Sequence, residues 1–198
     1  SQSRKGRQVI LNRTVKPTEK LISVADAKQH LRVDFPEDED LIAGMIDAVN
    51  DALDGPHGIV GKALLTQTWK MDLRAVSGDD AVKLPVLPLQ TVSAMTYFDG
   101  DNAQQSLTVG DFRVYKTEDQ AWIEPDENTN WPTMYDRPDA LSITMVGGFG
   151  TAADVPGNVR VAALQMLAQM YEHRGDGGGK MPDSAKDLAG LSRVGWFG

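Results

Sequence analysis

The sequence predicts an α+β fold: a helical bundle drawn from the N-terminal helices and the C-terminal helix, with a small antiparallel β module inserted between them. Three observations carry this. Residues 21–53 hold two helical patterns, residues 69–146 hold short alternating segments separated by turn chemistry, and residues 156–173 return to a helical period. No helical pattern lies between the strands, so parallel βαβ units are not expected, and the first and last thirds should fold together.

Residues 1–20 form a basic N-terminal arm, with Arg4, Lys5, Arg7, Arg13, Lys16 and Lys20 against the single acid Glu19. Such an arm docks on an acidic partner or on DNA, or it is a tail kept soluble by its charge. A helix should start at Ser23, whose hydroxyl can cap free backbone N–H groups, with Asp26 facing the positive helix end. Val24, Ala27, Lys28 and Leu31 follow at helical spacing, and Pro36 blocks continuation. The acidic run Glu37, Asp38, Glu39 and Asp40 then sits at the N-terminal turn of a second helix. Leu41, Ile42, Met45, Ile46, Val49, Ala52 and Leu53 trace its buried face until Gly55 and Pro56 stop it. Adjacent carboxylates on a helix point in different directions, so the acidic run reads as a solvated turn in preference to a metal site.

Trp69, Met71 and Leu73 alternate with Lys70 and Asp72 as in a strand. Further strands are expected at 82–84, 92–97, 112–116, 121–124 and 141–146, bounded by the FDGDN turn at 98–102 or by prolines. The strongest helix runs from about Pro156 to His173, with Val159, Ala162, Ala163, Met166, Leu167, Met170 and Tyr171 at steps of three and four. Its apolar stripe is expected to pack on the two N-terminal helices. Residues 175–198 show no sustained period and read as an extended tail, dispensable for folding, that ends in Arg193, Trp196 and Phe197. Two aromatics in an exposed segment are costly to leave in water, so the tail docks on a neighbouring subunit or partner, or folds back on its own domain. The division is therefore 1–20 arm, 21–62 with 151–174 helical domain, 63–150 β module, and 175–198 tail.

Composition narrows the function classes. The chain has 198 residues, is 41% hydrophobic and carries a formal charge of −8, which suits a soluble domain with a real core and disfavours whole-surface nucleic-acid binding. The absence of cysteine excludes disulfides, thiolate metal sites and cysteine nucleophiles. No apolar run approaches the roughly 18 residues of a membrane span. His30, His57 and His173 stand in separate segments without paired metal spacing, and no GxSxG elbow occurs. GDGGGK at 175–180 follows a helix and lacks the leading glycine and the Ser or Thr of a phosphate loop; DGDNA at 99–103 reads as a hairpin turn. No catalytic, metal or cofactor site is expected.

Four stretches then occur in order: LISVADAKQHLRVD with DEDLIAGMIDAVNDAL; ALLTQTWKMDL; LPVLPLQTVSAMTYFDGDN; and SITMVGGFG followed by VPGNVRVAALQMLAQMYEHR. Together they resemble the head-tail connector (adaptor) proteins of tailed phages, the HK97 connector-like or phiE125-type family, over residues 17–174. The resemblance implies a non-enzymatic virion protein of the neck, assembled in the host cytoplasm. Its partners would be a portal protein, a stopper or tail-terminator, and further copies of itself in a ring, a dodecamer by analogy, with DNA passing through the lumen. Arg4, Lys5, Arg7, Arg193, Trp196 and Phe197 are the candidate partner-binding residues, in segments that the shared pattern does not cover. Two other readings stand beside it: a carbohydrate- or peptide-binding β module using Trp69, Trp122 or Trp131, and a hydrolase with an unrecognised carboxylate pair.

Overall fold

The structure is a computed structural model that describes residues 9–174 and 181–192. Among the described residues the order is β1 (Val9–Val15), α1 (Val24–Leu31), α2 (Glu39–Leu53), β2 (Gln67–Leu73), β3 (Val82–Lys83), β4 (Leu89–Phe98), β5 (Gln104–Leu107), β6 (Phe112–Lys116), β7 (Ala121–Pro125), β8 (Leu141–Gly147), α3 (Gly157–Glu172) and α4 (Asp183–Gly190). Four helices with antiparallel sheets make the fold α+β. The chain divides into two compact units. A β unit comprises Gln67–Gly148 and the described residues up to Lys16; a helical unit comprises Pro17–Thr66 and the described residues from Phe149 onward.

In the β unit, β1-β2-β8-β4-β5 form a five-stranded antiparallel sheet and β3-β7-β6 a three-stranded one. Period-2 alternation explains the larger sheet. Trp69, Met71 and Leu73 lie opposite Met145, Ile143 and Leu141, and all six are buried. A bulge between Val92 and Ala94 lets Val92 and Met95, three residues apart, pair with Met145 and Ile143 on that same face. On the opposite face Asp72 and Ser142 are cross-strand partners, both buried; the Ser142 hydroxyl donates to Asp72, and Lys70 Nζ lies 3.0 Å from the same carboxylate. The smaller sheet buries Val82, Phe112, Ala121 and Ile123.

Two strands depart from the sequence expectation. Val9–Val15, inside the stretch read as a basic arm, is the edge strand β1, in register Val9 to Leu73 and Arg13 to Trp69. Its alternation is masked because an edge strand exposes side chains on both faces. Arg13 fits there by donating to Gln67 Oε1 at 3.2 Å, with its guanidinium carbon 5.6 Å from the Trp69 ring centroid. β5 is wholly polar but for Leu107 and forms because the turn at 99–103 returns it against β4. The Asp99 carboxylate shapes that turn, accepting from Asp101 N at 3.1 Å, Ala103 N at 3.0 Å and Gln105 Nε2 at 2.8 Å.

In the helical unit, α1 begins as expected: Ser23 Oγ accepts from Asp26 N at 3.0 Å and donates to the Asp26 carboxylate at 2.7 Å. Its end differs from expectation. Arg32 takes the left-handed conformation, φ 56°, and Val33 N reaches Lys28 O at 3.1 Å, so the helix is closed before Pro36, which instead opens a 3₁₀ turn, Pro36–Asp38, into α2. Ile42, Met45, Ile46, Val49 and Leu53 of α2 are buried with Val159, Ala162, Ala163, Met166 and Leu167 of α3 and Ala27 of α1 in one apolar cluster. Packing of α3 with α1 and α2 accounts for its apolar stripe. Leu41, assigned above to the buried face, is exposed.

The segment read as an extended tail contains α4, whose Ala185 and Ala189 are buried in the same cluster. Asn158 of α3 holds its end, Nδ2 donating to Leu188 O at 2.8 Å and to Ser192 Oγ at 2.9 Å. An eight-residue helix is stable only by tertiary packing, and a buried face of two alanines gives a weak periodic signal. Deleting residues 176–198 would take α4, with Ala185 and Ala189, out of this cluster. GDGGGK at 175–180 lies outside the described residues.

Gly147 at the end of β8 is a close-packing position: an added Cβ would lie 2.6 Å from Val86 Cγ1 and 3.1 Å from Pro88 O. Gly147→Ala should cost on the order of 1–3 kcal/mol in a urea titration. The cost should fall in a Val86→Ala background; equal costs in both would place the strain elsewhere.

Candidate functional site

His30 is exposed on α1, His57 is exposed at the turn after α2, and His173 is engaged by Gln169, 2.9 Å from Nδ1. No group of three His, Asp or Glu side chains among the described residues could hold a metal ion. The carboxylates that depart from their ordinary acidity, Asp99, Asp139 and Asp154, all move down. Hydrogen bonds from Gln105, Arg137 and Thr151 respectively are the leading cause. A general acid for glycoside hydrolysis needs the opposite shift.

The tryptophans of the ligand-binding reading are spent in packing. Trp69 is buried and donates Nε1 to Gln67 Oε1 at 3.1 Å. Trp131 is buried, its ring 4.6 Å from Phe112 and its Nε1 donating to Asp80 O at 2.8 Å. Trp122 stacks on Tyr115 at 5.1 Å, interplanar angle 16°. Each ring is thus engaged by a different partner.

The acidic run has a structural use. The Tyr171 hydroxyl donates to Asp38, Arg174 lies 3.6 Å from the same carboxylate and 4.6 Å from the Tyr171 ring centroid, and Lys28 pairs with Glu39 at 2.8 Å. The last turn of α3 is thereby fastened to the 3₁₀ turn that leads into α2, and α1 to the first turn of α2.

A cleft of about 510 Å³ lies in the helical unit. Val24 of α1, Ala43 and Ile46 of α2, Ala152 and Ala153, and Arg160 of α3 are among its walls. Its floor is apolar because the walls are small alanines and aliphatic side chains, while Glu19, Lys20, Asp26 and Asp47 supply charges. Lys20 pairs with Asp47, and the Glu19 carboxylate accepts from Ala152 N at 3.0 Å. Asp154 fixes the turn before α3 by accepting from Thr151 N at 2.8 Å and Thr151 Oγ1 at 2.7 Å. Gly150 precedes it at φ 137°, where an added Cβ would lie 2.5 Å from Asp154 Oδ2. The Arg160 guanidinium, on a half-buried residue, makes no hydrogen bond or ion pair with another described residue.

The partner-binding residues named from sequence, Arg4, Lys5, Arg7, Arg193, Trp196 and Phe197, lie outside the described residues. Sequence reasoning did not find the cleft, because its walls come from four separated segments and alanines carry no chemical signature. The one signal near the tail is Leu191, at 78% exposure the most exposed large apolar side chain described.

No protein-family model matches this chain, and no curated protein sequence matches it. Solved structures do. A chain of the neck of an empty GTA particle, computed with C6 symmetry, superposes with TM-score 0.76 at 24% identity. A chain of the virion of the native gene transfer agent (GTA) particle gives 0.72 at 23%, and one from the native GTA neck computed with C12 symmetry gives 0.69 at 23%. Each likeness covers 95% of this chain and 97% of the other. At this identity they establish a shared fold over essentially the full length of both chains.

Because its hydrogen bonds hold the Asp154 carboxyl below the ordinary 3.8, its stabilisation is present above that pH and is lost as pH falls through the depressed value. Asp154→Ala should lower Tm at pH 6, and the deficit should narrow between pH 4 and pH 2. An unchanged deficit would show that the carboxylate charge is not its source.

Proposed function

We propose that this protein is a structural head-tail connector in the neck of a phage-like particle, forming a ring beneath a portal protein and surrounding the DNA channel. The observation that carries the reading is the likeness, over 95% of this chain and 97% of the other, to chains of GTA necks and virions. The chain's own sequence pattern points the same way through its resemblance to HK97 connector-like or phiE125-type adaptors. On this reading the protein is a virion component of the neck, it performs no catalysis, and the helical unit is the bundle expected of that family with the β unit as its insertion.

A ring follows from heterologous contacts, in which one surface of a subunit meets a different surface of the next. Necks of GTA particles have been computed with C6 and C12 symmetry, which supports a cyclic assembly here, a dodecamer by analogy. The portal on one side and a stopper or tail-terminator on the other are the partners this position requires. The formal charge of −8 suits a channel through which DNA slides, since phosphate-binding surfaces need clustered Lys and Arg.

Electron microscopy of the protein mixed with its portal tests the proposal. A coaxial ring with acidic side chains along the lumen is expected. Reproducible absence of a complex would refute the connector role, and a lumen dominated by Lys and Arg would refute the account of the charge. The free protein should remain able to be monomeric, because ring contacts can depend on the portal as template.

A further inference from the structure

The cleft of the helical unit and the end of α4 lie on different sides of α3. α4 ends against Asn158, which binds Leu188 O and Ser192 Oγ, whereas the cleft wall of α3 is Arg160. Residues two apart on a helix point about 200° from one another, so the chain leaves α4 on the side of α3 turned away from its own cleft. Leu191, 78% exposed at that exit, already directs an apolar side chain to the outside. The next six residues are Arg193, Val194, Gly195, Trp196, Phe197 and Gly198. Extended, they reach at most about 20 Å.

We infer that the cleft formed by Val24, Ala43, Ile46, Ala152, Ala153 and Arg160 receives the 193–198 segment of a neighbouring copy of this chain. The chemistry of the two surfaces is complementary. The cleft offers an apolar floor and a volume of about 510 Å³, in the range that encloses a small ligand or a few side chains. Arg160 offers a guanidinium that no described residue engages, and the indole of Trp196 is the strongest aromatic acceptor for such a cation. The cleft's charged residues are three acids, Glu19, Asp26 and Asp47, against Lys20 and Arg160, and the one charge of the segment is Arg193. A segment that departs from the end of α4 and a cleft on the other side of α3 can form a head-to-tail contact, which propagates around a ring and cannot be saturated by a two-fold dimer. The inference rests on the ring reading for the presence of a neighbour, and it names the contact that would hold adjacent subunits together.

The test uses a fluorescein-labelled peptide of residues 191–198 titrated with the full-length protein, read by anisotropy. Saturable binding is expected, weakened at least tenfold by Arg160→Glu and by Ala43→Trp in proteins whose circular dichroism and Tm match the wild type. Equal binding by these variants would overturn the cleft as the seat. Binding seen only after residues 193–198 are removed from the protein would show that each chain fills its own cleft, and would overturn the assignment to a neighbour. On the portal, Arg160→Glu copies mixed with copies carrying Trp196→Ala and Phe197→Ala should form fewer complete rings than wild type. Peptide binding without any ring on the portal would refute the connector reading alone; rings with no peptide binding would refute this contact alone.

Discussion

Ile42, Ile46, Val49 and Leu53 of α2 are buried because Val159, Ala162, Ala163 and Leu167 of α3 arrive against them from the far side of the β excursion. Neither set can be buried alone. Burial of an aliphatic side chain contributes roughly 1.5–3 kcal/mol, so two short helices gain little without the third, and the entropy of closing the intervening loop must be offset at the same time. The chain solves this by making the intervening residues a folded β unit. The alanines of α3 and α4 then permit close packing without the volume that larger side chains would require.

Several elements were legible in the sequence because one residue type at one position has one physical use. Ser23 with Asp26 marks a helix start, the alternation of Trp69, Met71 and Leu73 marks a strand, and the steps from Val159 to Leu167 mark a helix. The missed features have weaker local signatures. β1 is an edge strand that exposes both faces, and its charged Arg13 finds its place only beside Trp69 from another strand. α4 buries two alanines, and Arg32 closes α1 in a conformation that its residue type does not favour. The cleft was illegible for a further reason: no single segment contains more than a fraction of it.

The acid surplus of the chain also looks different once the partners are known. Asp38 anchors Tyr171, Asp72 holds Ser142, Asp99 shapes a hairpin and Asp154 fixes the turn into α3. These carboxylates act as hydrogen-bond acceptors for backbone and side-chain donors, a use strengthened by their ionisation, and Asp38 and Asp72 also face Arg174 and Lys70. Part of the negative charge is therefore a by-product of how the turns are built.

In the β unit, Gln67 at the start of β2 is paired with Gly147 at the end of β8. The excursion thus leaves and re-enters the helical unit's sequence through adjacent, hydrogen-bonded strands. A segment whose two ends are already side by side can be exchanged for another of different length and shape, provided the replacement keeps a strand in the place of β2 for β1 to pair with. Lineages could in this way graft new β units onto an unchanged helical framework, and a laboratory recombination at the 66–67 and 148–149 joints would exploit the same adjacency.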